Sequence, residues 1–487
     1  MDERSISIIV DEVVRKLREG GLASGGAAAA TATTPRSSTG LHGVFSTIDE
    51  AAEAAHAAFQ KYRYSSLETR KAIIDAIRAT SHKHKEDFSK RILEETRLGR
   101  ISHKLTKHEA VADGTPGVED LVTRCWSGDR GLTIEEYAPF GLIGAVTPTT
   151  HPVETLINNS IMFLSGGNTA VFNPHPASKR CFAYALDIFN NVIKSVSGFS
   201  NLITCIDEPT IDTGKQMFNH PKVKLLLVTG GGAVVKEALK TPKKAITAGP
   251  GNPPVVVDES AVLHQAARDI ILGAGFDNNI LCIGEKEVFV VESVADKLIT
   301  ELKKQGCYEL SPKQIDELAR LAFGVKDGDP RTAKSCSGVM LNRDMVGRDA
   351  SVLAKMIGID VPGDPPLLIG ETGFDHLWVQ QEQMMPFIPI VRCRDVDEAI
   401  DMAVKAEHGY RHTAVIHSLN VGSMTKMGRA MDCSIFVKNG PSYAGLGCGG
   451  EGHTSFSIAS PTGEGITTPR TFCRIRRCAL IDYLRIV

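Results

Sequence analysis

The segment VKLLLVTGGGAVVKEAL, residues 223–239, sets an apolar run, Val223–Val228, directly before Thr229, three glycines and a helical pattern. A short buried run that passes through glycines into a helix is the unit from which parallel α/β sheets are assembled. Gly230, Gly231 and Gly232 let the backbone turn sharply, and the helix that follows would offer free N–H groups and the positive end of its dipole to a phosphate. The spacing is not that of the GxGxxG fingerprint, so on its own the turn reads equally well as a plain strand-to-helix connection.

Outward from this segment the same alternation recurs. Upstream lie LIGAV (142–146), TAVFN (169–173), a helix from about 178 to 196 and LITCI (202–206). Downstream lie PPVVVD (253–258), a helix at 261–275, EVFVVE (287–292), a helix at 294–306, PIVRCRD (389–395), a helix at 396–409, TAVIHS (413–418) and CSIFVKN (433–439). Strands alternating with helices predict doubly wound parallel sheets, and GPGNPP near 250–255 interrupts any regular element. Two Rossmann-like halves follow. Residues 46 to about 107 read as helical, and nothing in that stretch carries chemistry.

The chain has 487 residues, enough for two or three domains of about 100–200 residues each. With 42% hydrophobic and 23% charged residues and a formal charge of -2, the composition points away from wholesale disorder and from nucleic acid as a partner. No apolar run approaches the ~20 residues needed to cross a bilayer, so no membrane association is expected. Eleven cysteines without a CxxC pair or a Cys/His cluster predict reduced thiols in the cytoplasm and no metal site. Residues 5–19, SISIIVDEVVRKLRE, carry Ile6, Ile9, Val10, Val13, Val14 and Leu17 at helical spacing. A small-residue linker follows. An isolated helix of about 15 residues is marginal in water, so its apolar stripe calls for a docking partner or for its own catalytic domain. Asp11 and Glu12 within the stripe speak against a signal peptide.

FDNNILCIGEKEVFVV (276–291) sets Cys282 after a polar, flexible Asn278–Asn279 stretch and before a strand. An unperturbed thiol with a pKa of about 8.5 is only about 3% ionised at pH 7, so a catalytic cysteine needs neighbouring amides or charge. Local sequence alone fits a buried structural cysteine equally well.

Six segments, in order, carry a resemblance that covers residues 42–487: PFGLIGAVTPTTHP, SGGNTAVFNPHP, VTGGGAVV, DNNILCIGEKEV, EQMMPFIP and EGHTSFSIASPTGEG. Together they resemble the aldehyde dehydrogenase superfamily. NPHP and DNN-x-x-CI-x-EKEV are similar to the CoA-acylating propionaldehyde and acetaldehyde dehydrogenases of bacterial microcompartments. The resemblance implies that Cys282 attacks the aldehyde and becomes a thioester after hydride loss to NAD, with coenzyme A as the acyl acceptor. It implies cofactor contacts from Thr147, Pro148, Thr149, Thr150, Asn173, His175, Pro176, Thr229, Gly230, Gly231 and Gly249. Glu382 matches the glutamate on the nicotinamide ribose.

Two departures from the hydrolytic members matter. Where those enzymes carry a glutamate that activates water, this chain has ITAGPG, with Thr247 or Ala248 at that position; without a carboxylate there the thioester should persist until a thiol arrives. Thr150 stands where they carry an oxyanion-binding asparagine, leaving the Cys282 N–H as the expected donor and the Thr150 hydroxyl as a second. Asn173 replaces a ribose-binding lysine, which would let CoA follow NADH into one pocket in ping-pong order. His412 and the 451–454 segment would line the substrate channel or back the catalytic loop.

The expected division is an encapsulation-type helix at 1–19, a linker at 20–41, an NAD/CoA-binding domain at 42–252 interrupted by an arm strand at 131–141, a catalytic domain at 253–441, and a return segment with the rest of the oligomerisation arm at 442–487. Apolar strands at 131–141 and 471–487 would need a partner's strand, which implies a homodimer or a dimer of dimers. The helix at 5–19 is similar to the tags of microcompartment cargo and would contact shell or fellow cargo proteins, placing the enzyme in the bacterial cytoplasm inside such a compartment. The rival readings are a hydrolytic aldehyde dehydrogenase and a non-catalytic assembly protein.

Overall fold

The computed structural model describes residues 40–335 and 339–487; the expected helix at 1–19 and residues 20–39 of the linker lie outside them. A two-residue strand, β1 (Val44–Phe45), leads into three helices: α1 (Ile48–Tyr62), α2 (Leu67–Thr96) and α3 (Ile101–Gly114). Thr47 and Glu50 close a capping box on α1, satisfying N–H groups that the first turn would otherwise leave without partners. Next come β2 (Arg124–Gly128) and β3 (Gly131–Pro139), a ribbon outside the main sheets.

The chain then alternates β4 (Leu142–Thr147), α4 (Pro152–Ser165), β5 (Thr169–Pro174), α5 (Lys179–Ser197), β6 (Ile203–Ile206), α6 (Ile211–Asn219), β7 (Val223–Thr229), α7 (Gly232–Leu239) and β8 (Lys244–Ala248). These strands pair in parallel in the order β1-β6-β5-β4-β7-β8. Apolar runs rather than alternating ones suit strands covered on both faces. One face packs Ile73, Ile77, Leu156, Phe163, Phe182 and Phe189, and the other Phe45, Ala51, Ala55, Met217 and Val235. From β4 the chain winds one way to β6 and, after returning to β7, the other way to β8. The reversal opens a crevice beyond the carboxyl ends of β4 and β7, the position where open α/β sheets take ligands.

A second parallel sheet holds β9 (Pro254–Val257), β10 (Glu287–Val291), β11 (Tyr308–Glu309), β12 (Leu368–Glu371), β13 (Phe387–Cys393), β14 (Thr413–His417) and β15 (Ile435–Lys438), in the order β11-β12-β13-β10-β9-β14-β15. Between β9 and β10 runs α8 (Leu263–Ala274). After β15 the chain returns to the first half. Phe456, Ala459 and Phe472 join its core, around the small hairpin of β16 (Ile458–Ala459) and β17 (Gly465–Ile466). β18 (Cys473–Ile481) then pairs antiparallel along the whole of β3, with β2 on the far side. Strand pairing of the C-terminal segment is confined to 473–481, and β2 is an element that the sequence pattern did not signal.

Candidate active site

Cys282 sits in the connection from α8 to β10 and is half-buried. The Asn278–Asn279 stretch expected to be flexible is instead enclosed and fixed: Asp277, Asn278 and Asn279 are all buried, with φ of 49°, 56° and 66°. That region costs a non-glycine residue up to about 1–2 kcal/mol, least for Asp and Asn, which visit it singly, so three in succession call for support from outside the turn. Part of it comes from the residues' own amides. Asn279 Nδ2 donates to the carbonyls of Ala274 and Glu285, both at 2.8 Å, and Asn278 Nδ2 donates to Gly347 O at 2.9 Å. From the strand side the buried Lys286 ammonium donates to the carbonyls of Asn279 at 2.8 Å and Leu281 at 3.2 Å.

Two groups converge on the opposite side of Cys282 through Gly251. A Cβ added there would lie 2.6 Å from the Cys282 carbonyl oxygen and 3.0 Å from His412 Cγ, so only glycine lets this strand-to-strand segment pass. Glu382 accepts a hydrogen bond from the Gly251 N–H at 3.4 Å. Removal from water raises the Cys282 thiol to about 12, with the Glu382 carboxylate adding to the shift and Lys286 opposing it. The free enzyme thus holds a protonated thiol, and the neighbouring charge that a catalytic cysteine needs is here divided between Glu382, which raises it, and Lys286, which lowers it. His412 is buried, its Nδ1 lies 2.9 Å from Thr413 Oγ1, and its Nε2 has no hydrogen-bond partner among the described residues. Burial lowers it to about 4, so the ring is neutral at physiological pH.

The segment at the position where the hydrolytic members carry their glutamate holds no carboxylate. Thr247 and Ala248 end β8, Thr247 is fully buried, and Gly249 packs against Pro461, whose Cγ would lie 3.0 Å from an added Cβ.

The expected cofactor residues lie along the carboxyl edge of the first sheet. Thr147 ends β4 and its hydroxyl is buried without a partner among the described residues. Pro148, Thr149 and Thr150 form the loop beyond it, half-buried, and the Thr150 hydroxyl is 2.9 Å from His151 Nδ1. That contact ties the hydroxyl suggested as a second oxyanion donor to the His151 ring. Asn173, near the end of β5, is turned inward: Oδ1 accepts from Thr213 Oγ1 at 2.7 Å, and Nδ2 donates to Thr210 O at 3.3 Å. Its amide is thereby spent on the start of α6. His175 and Pro176 beyond it are exposed, with His175 Nδ1 accepting from the Ala177 N–H at 3.1 Å. Thr229 ends β7 against Ser457, oxygen to oxygen 2.9 Å, and the Gly230 N–H donates to Ala248 O at 3.1 Å. Gly231 precedes α7, and neither it nor Gly232 has any atom within 4 Å of an added Cβ. With no side chain capping the helix, its first N–H groups face open space.

A cavity of about 800 Å³ opens on the other side of the nucleophile loop, lined by Leu281, Phe276, Tyr443, Leu446, Cys448 and Phe456 among others. Of the 451–454 segment, Gly452 and Thr454 line it, whereas Glu451 is exposed.

The residues that sequence reasoning missed come from α3, in the stretch that was read as carrying no chemistry. Lys104 and Lys107 are 0% and 1% exposed and meet the buried Asp277 carboxylate at 3.1 and 2.7 Å, and Lys107 also meets Glu154 at 3.1 Å. The two ammonium groups hold Asp277 down to about 2 against the opposing effect of burial. The buried stripe of α3 runs through Lys104, Lys107, His108, Val111 and Ala112. Two lysines in such a stripe look like a solvated face until their shared partner Asp277, 173 positions from Lys104, is known.

The geometry finds its counterpart in known proteins. Residues 42–308 match the family model described as "Aldehyde dehydrogenase family". An acetaldehyde dehydrogenase (acetylating) of Bilophila wadsworthia is 44% identical over 497 residues, covering 100% of this chain and 99% of the relative. The structure of a propionaldehyde dehydrogenase from the Clostridium phytofermentans fucose utilisation bacterial microcompartment superposes with a TM-score of 0.87 at 45% identity, covering 92% of this chain and 100% of that one. The propionaldehyde dehydrogenase of Rhodopseudomonas palustris, solved with bound CoA and an acylated cysteine, gives 0.87 at 44% identity over 91% of this chain and 99% of that one. With its two parallel sheets, its cysteine between them and these likenesses over nearly its whole length, the chain belongs to the aldehyde dehydrogenase family.

Proposed function

We propose that the chain is a CoA-acylating aldehyde dehydrogenase that converts propionaldehyde or acetaldehyde, NAD and CoA to acyl-CoA and NADH. The observation that carries this reading is the segment Thr247, Ala248 and Gly249, which holds no carboxylate where the hydrolytic members carry the glutamate that activates water.

The residues at the switch point fit a dinucleotide. An open glycine turn at an uncapped helix start suits a pyrophosphate, and the Thr147–Thr150 loop and Glu382 would take the nicotinamide end. NAD supplies the hydride acceptor. Cys282 Sγ, once deprotonated, adds to the aldehyde carbon, and the oxyanion formed accepts from the Cys282 N–H. Departure of hydride leaves a thioester on Sγ. The CoA thiolate then adds to the thioester carbon and Sγ leaves, which restores the free cysteine and releases acyl-CoA. His412, neutral and with an open Nε2, can take the proton of an incoming thiol. The inward-turned Asn173 leaves no cation at the ribose position, which supports successive use of one pocket by NADH and CoA.

A division at 252/253 is supported by the two sheets; within 442–487, Phe456, Ala459 and Phe472 join the first core, whereas Leu446 and Ile458 pack in the second. The β18-β3-β2 ribbon exposes Trp126, Ile475 and Ile481, the last two at 61% and 62%, which supports its service as an arm between copies in a dimer or dimer of dimers. The amphipathic pattern of residues 5–19 supports docking to shell or cargo proteins and a place in a cytoplasmic microcompartment; unchanged co-purification with shells after deletion of residues 1–20 would count against it.

The activity test follows NADH from propionaldehyde with and without CoA and identifies the product by mass. CoA-dependent turnover to propionyl-CoA is expected. Sustained turnover to propionate without CoA would assign the chain to the hydrolytic class, and no NADH under either condition would favour the assembly-protein reading.

A further inference from the structure

The turn before Cys282 is held by one helix of the other half of the molecule. The Arg100 N–H donates to Asp277 Oδ1 at 2.7 Å, and the Asp277 N–H donates to His103 Nδ1 at 2.8 Å. Lys104 and Lys107 both reach Oδ2. His103, Lys104 and Lys107 share one side of α3. Gly99, at φ 73°, makes the approach possible, because a Cβ there would lie 1.9 Å from Asp277 Oδ1.

Lys107 reaches further. The same buried ammonium donates to the Thr150 carbonyl at 3.2 Å and pairs with Glu154 at 3.1 Å. A single cation therefore touches the loop beyond β4, the first turn of α4 and the left-handed turn that leads to the nucleophile. These belong to the two halves between which the hydride and acyl transfers take place.

We infer that Lys107 and Asp277 form a positioning pair that holds Asp277–Asn279 in the left-handed conformation and sets the Cys282 loop in register with the Thr147–Thr150 loop. The pair acts through the backbone and does not touch the reacting atoms. It rests on the reading of Cys282 as the nucleophile, and the test separates the two. Glycine adopts a left-handed backbone without cost, whereas alanine does not. Asp277→Gly and Asp277→Ala remove the same carboxylate and differ in that freedom and in a single methyl group.

The measurement is a single turnover with propionaldehyde and NAD without CoA, following the NADH burst and the acylated Cys282 peptide by mass. Wild-type protein that never acylates Cys282 would refute the nucleophile reading itself. Given wild-type acylation, Lys107→Met is expected to slow the burst about 100-fold with the KM for NAD within about threefold. Adding Asp277→Gly to Lys107→Met should recover at least about tenfold. Asp277→Ala should lose about 100-fold, and Asp277→Gly about tenfold or less. A Lys107→Met burst within about threefold of wild type, or equal losses in the glycine and alanine variants, overturns the inference. The glycine and alanine comparison stands by itself should Lys107→Met fail to fold.

Discussion

The turn that leads to Cys282 and the turn that leaves β7 are both short connections at the inner edge of a parallel sheet, and they are constructed in opposite ways. The first uses side chains. Asp277, Asn278 and Asn279 are buried, left-handed and tied by carboxylate and amide groups to α3, α8 and the Gly347 carbonyl. The second omits them, with Gly231 and Gly232 touching nothing where a Cβ would be. A nucleophile must return to one position in every cycle, which rewards a fixed backbone. On the proposed function, a pocket that admits NADH and CoA in turn needs bare N–H groups and room.

The largest effect should come from the chemistry of the fixed turn. Cys282→Ser leaves a hydroxyl that is a far weaker nucleophile at neutral pH, so kcat should fall about 10^4-fold or more, with NADH binding unchanged by fluorescence titration. Retained NADH production would break the comparison at its first term.

A smaller effect is expected at the open turn. Gly231 has φ -63° and ψ 160°, a conformation any residue adopts, and free space around it. Gly231→Val should therefore fold, at a cost of about 1 kcal/mol for a poorer helix cap. If bare N–H groups serve a pyrophosphate, the side chain blocks hydrogen bonds to a charged group, each of about 1.5–3 kcal/mol, and the KM for NAD rises about 30-fold. An unchanged KM would make the turn a plain strand-to-helix connection.

Sequence alone exposed one of these constructions and concealed the other. Leu142–Val146 and Val223–Val228 are apolar because both faces of a parallel sheet are covered, and the glycines after β7 stand beside their strand in sequence. Both signals are local. The fixed turn is not local: Asp277 has its meaning from Lys104 and Lys107, and its polar run DNN looks like any mobile loop until α3 is packed on it. β2 escaped notice because Arg124–Gly128 is an exposed edge with no apolar alternation, recognisable only through its pairing with β3. The family resemblance supplied the role of Cys282, yet it suggested nothing of the inward turn of Asn173, which depends on the hydroxyl of Thr213 on α6.

Glu382 adjoins the fixed turn, since its carboxylate accepts from Gly251 and lies in the field of the thiol, and on the proposed function it would also serve the ligand of the open turn. Its charge is one of the causes that raise Cys282 to about 12, after removal from water. The sign is definite: a raised thiol is mostly protonated at pH 8, and its thiolate fraction grows about tenfold per pH unit on the way up. Glu382→Gln removes the repulsion and keeps the shape, so the thiol should titrate lower. Alkylation of Cys282 by iodoacetamide in the free enzyme at pH 8 should accelerate about tenfold, for a shift of about one pH unit. Turnover should change the other way, because the variant loses the carboxylate expected on the nicotinamide ribose. Faster alkylation together with a raised KM for NAD would show one side chain serving both regions. An unchanged alkylation profile from pH 7 to 10 would mean that burial alone sets the thiol, and that the charge of Glu382 matters only to the open turn's ligand.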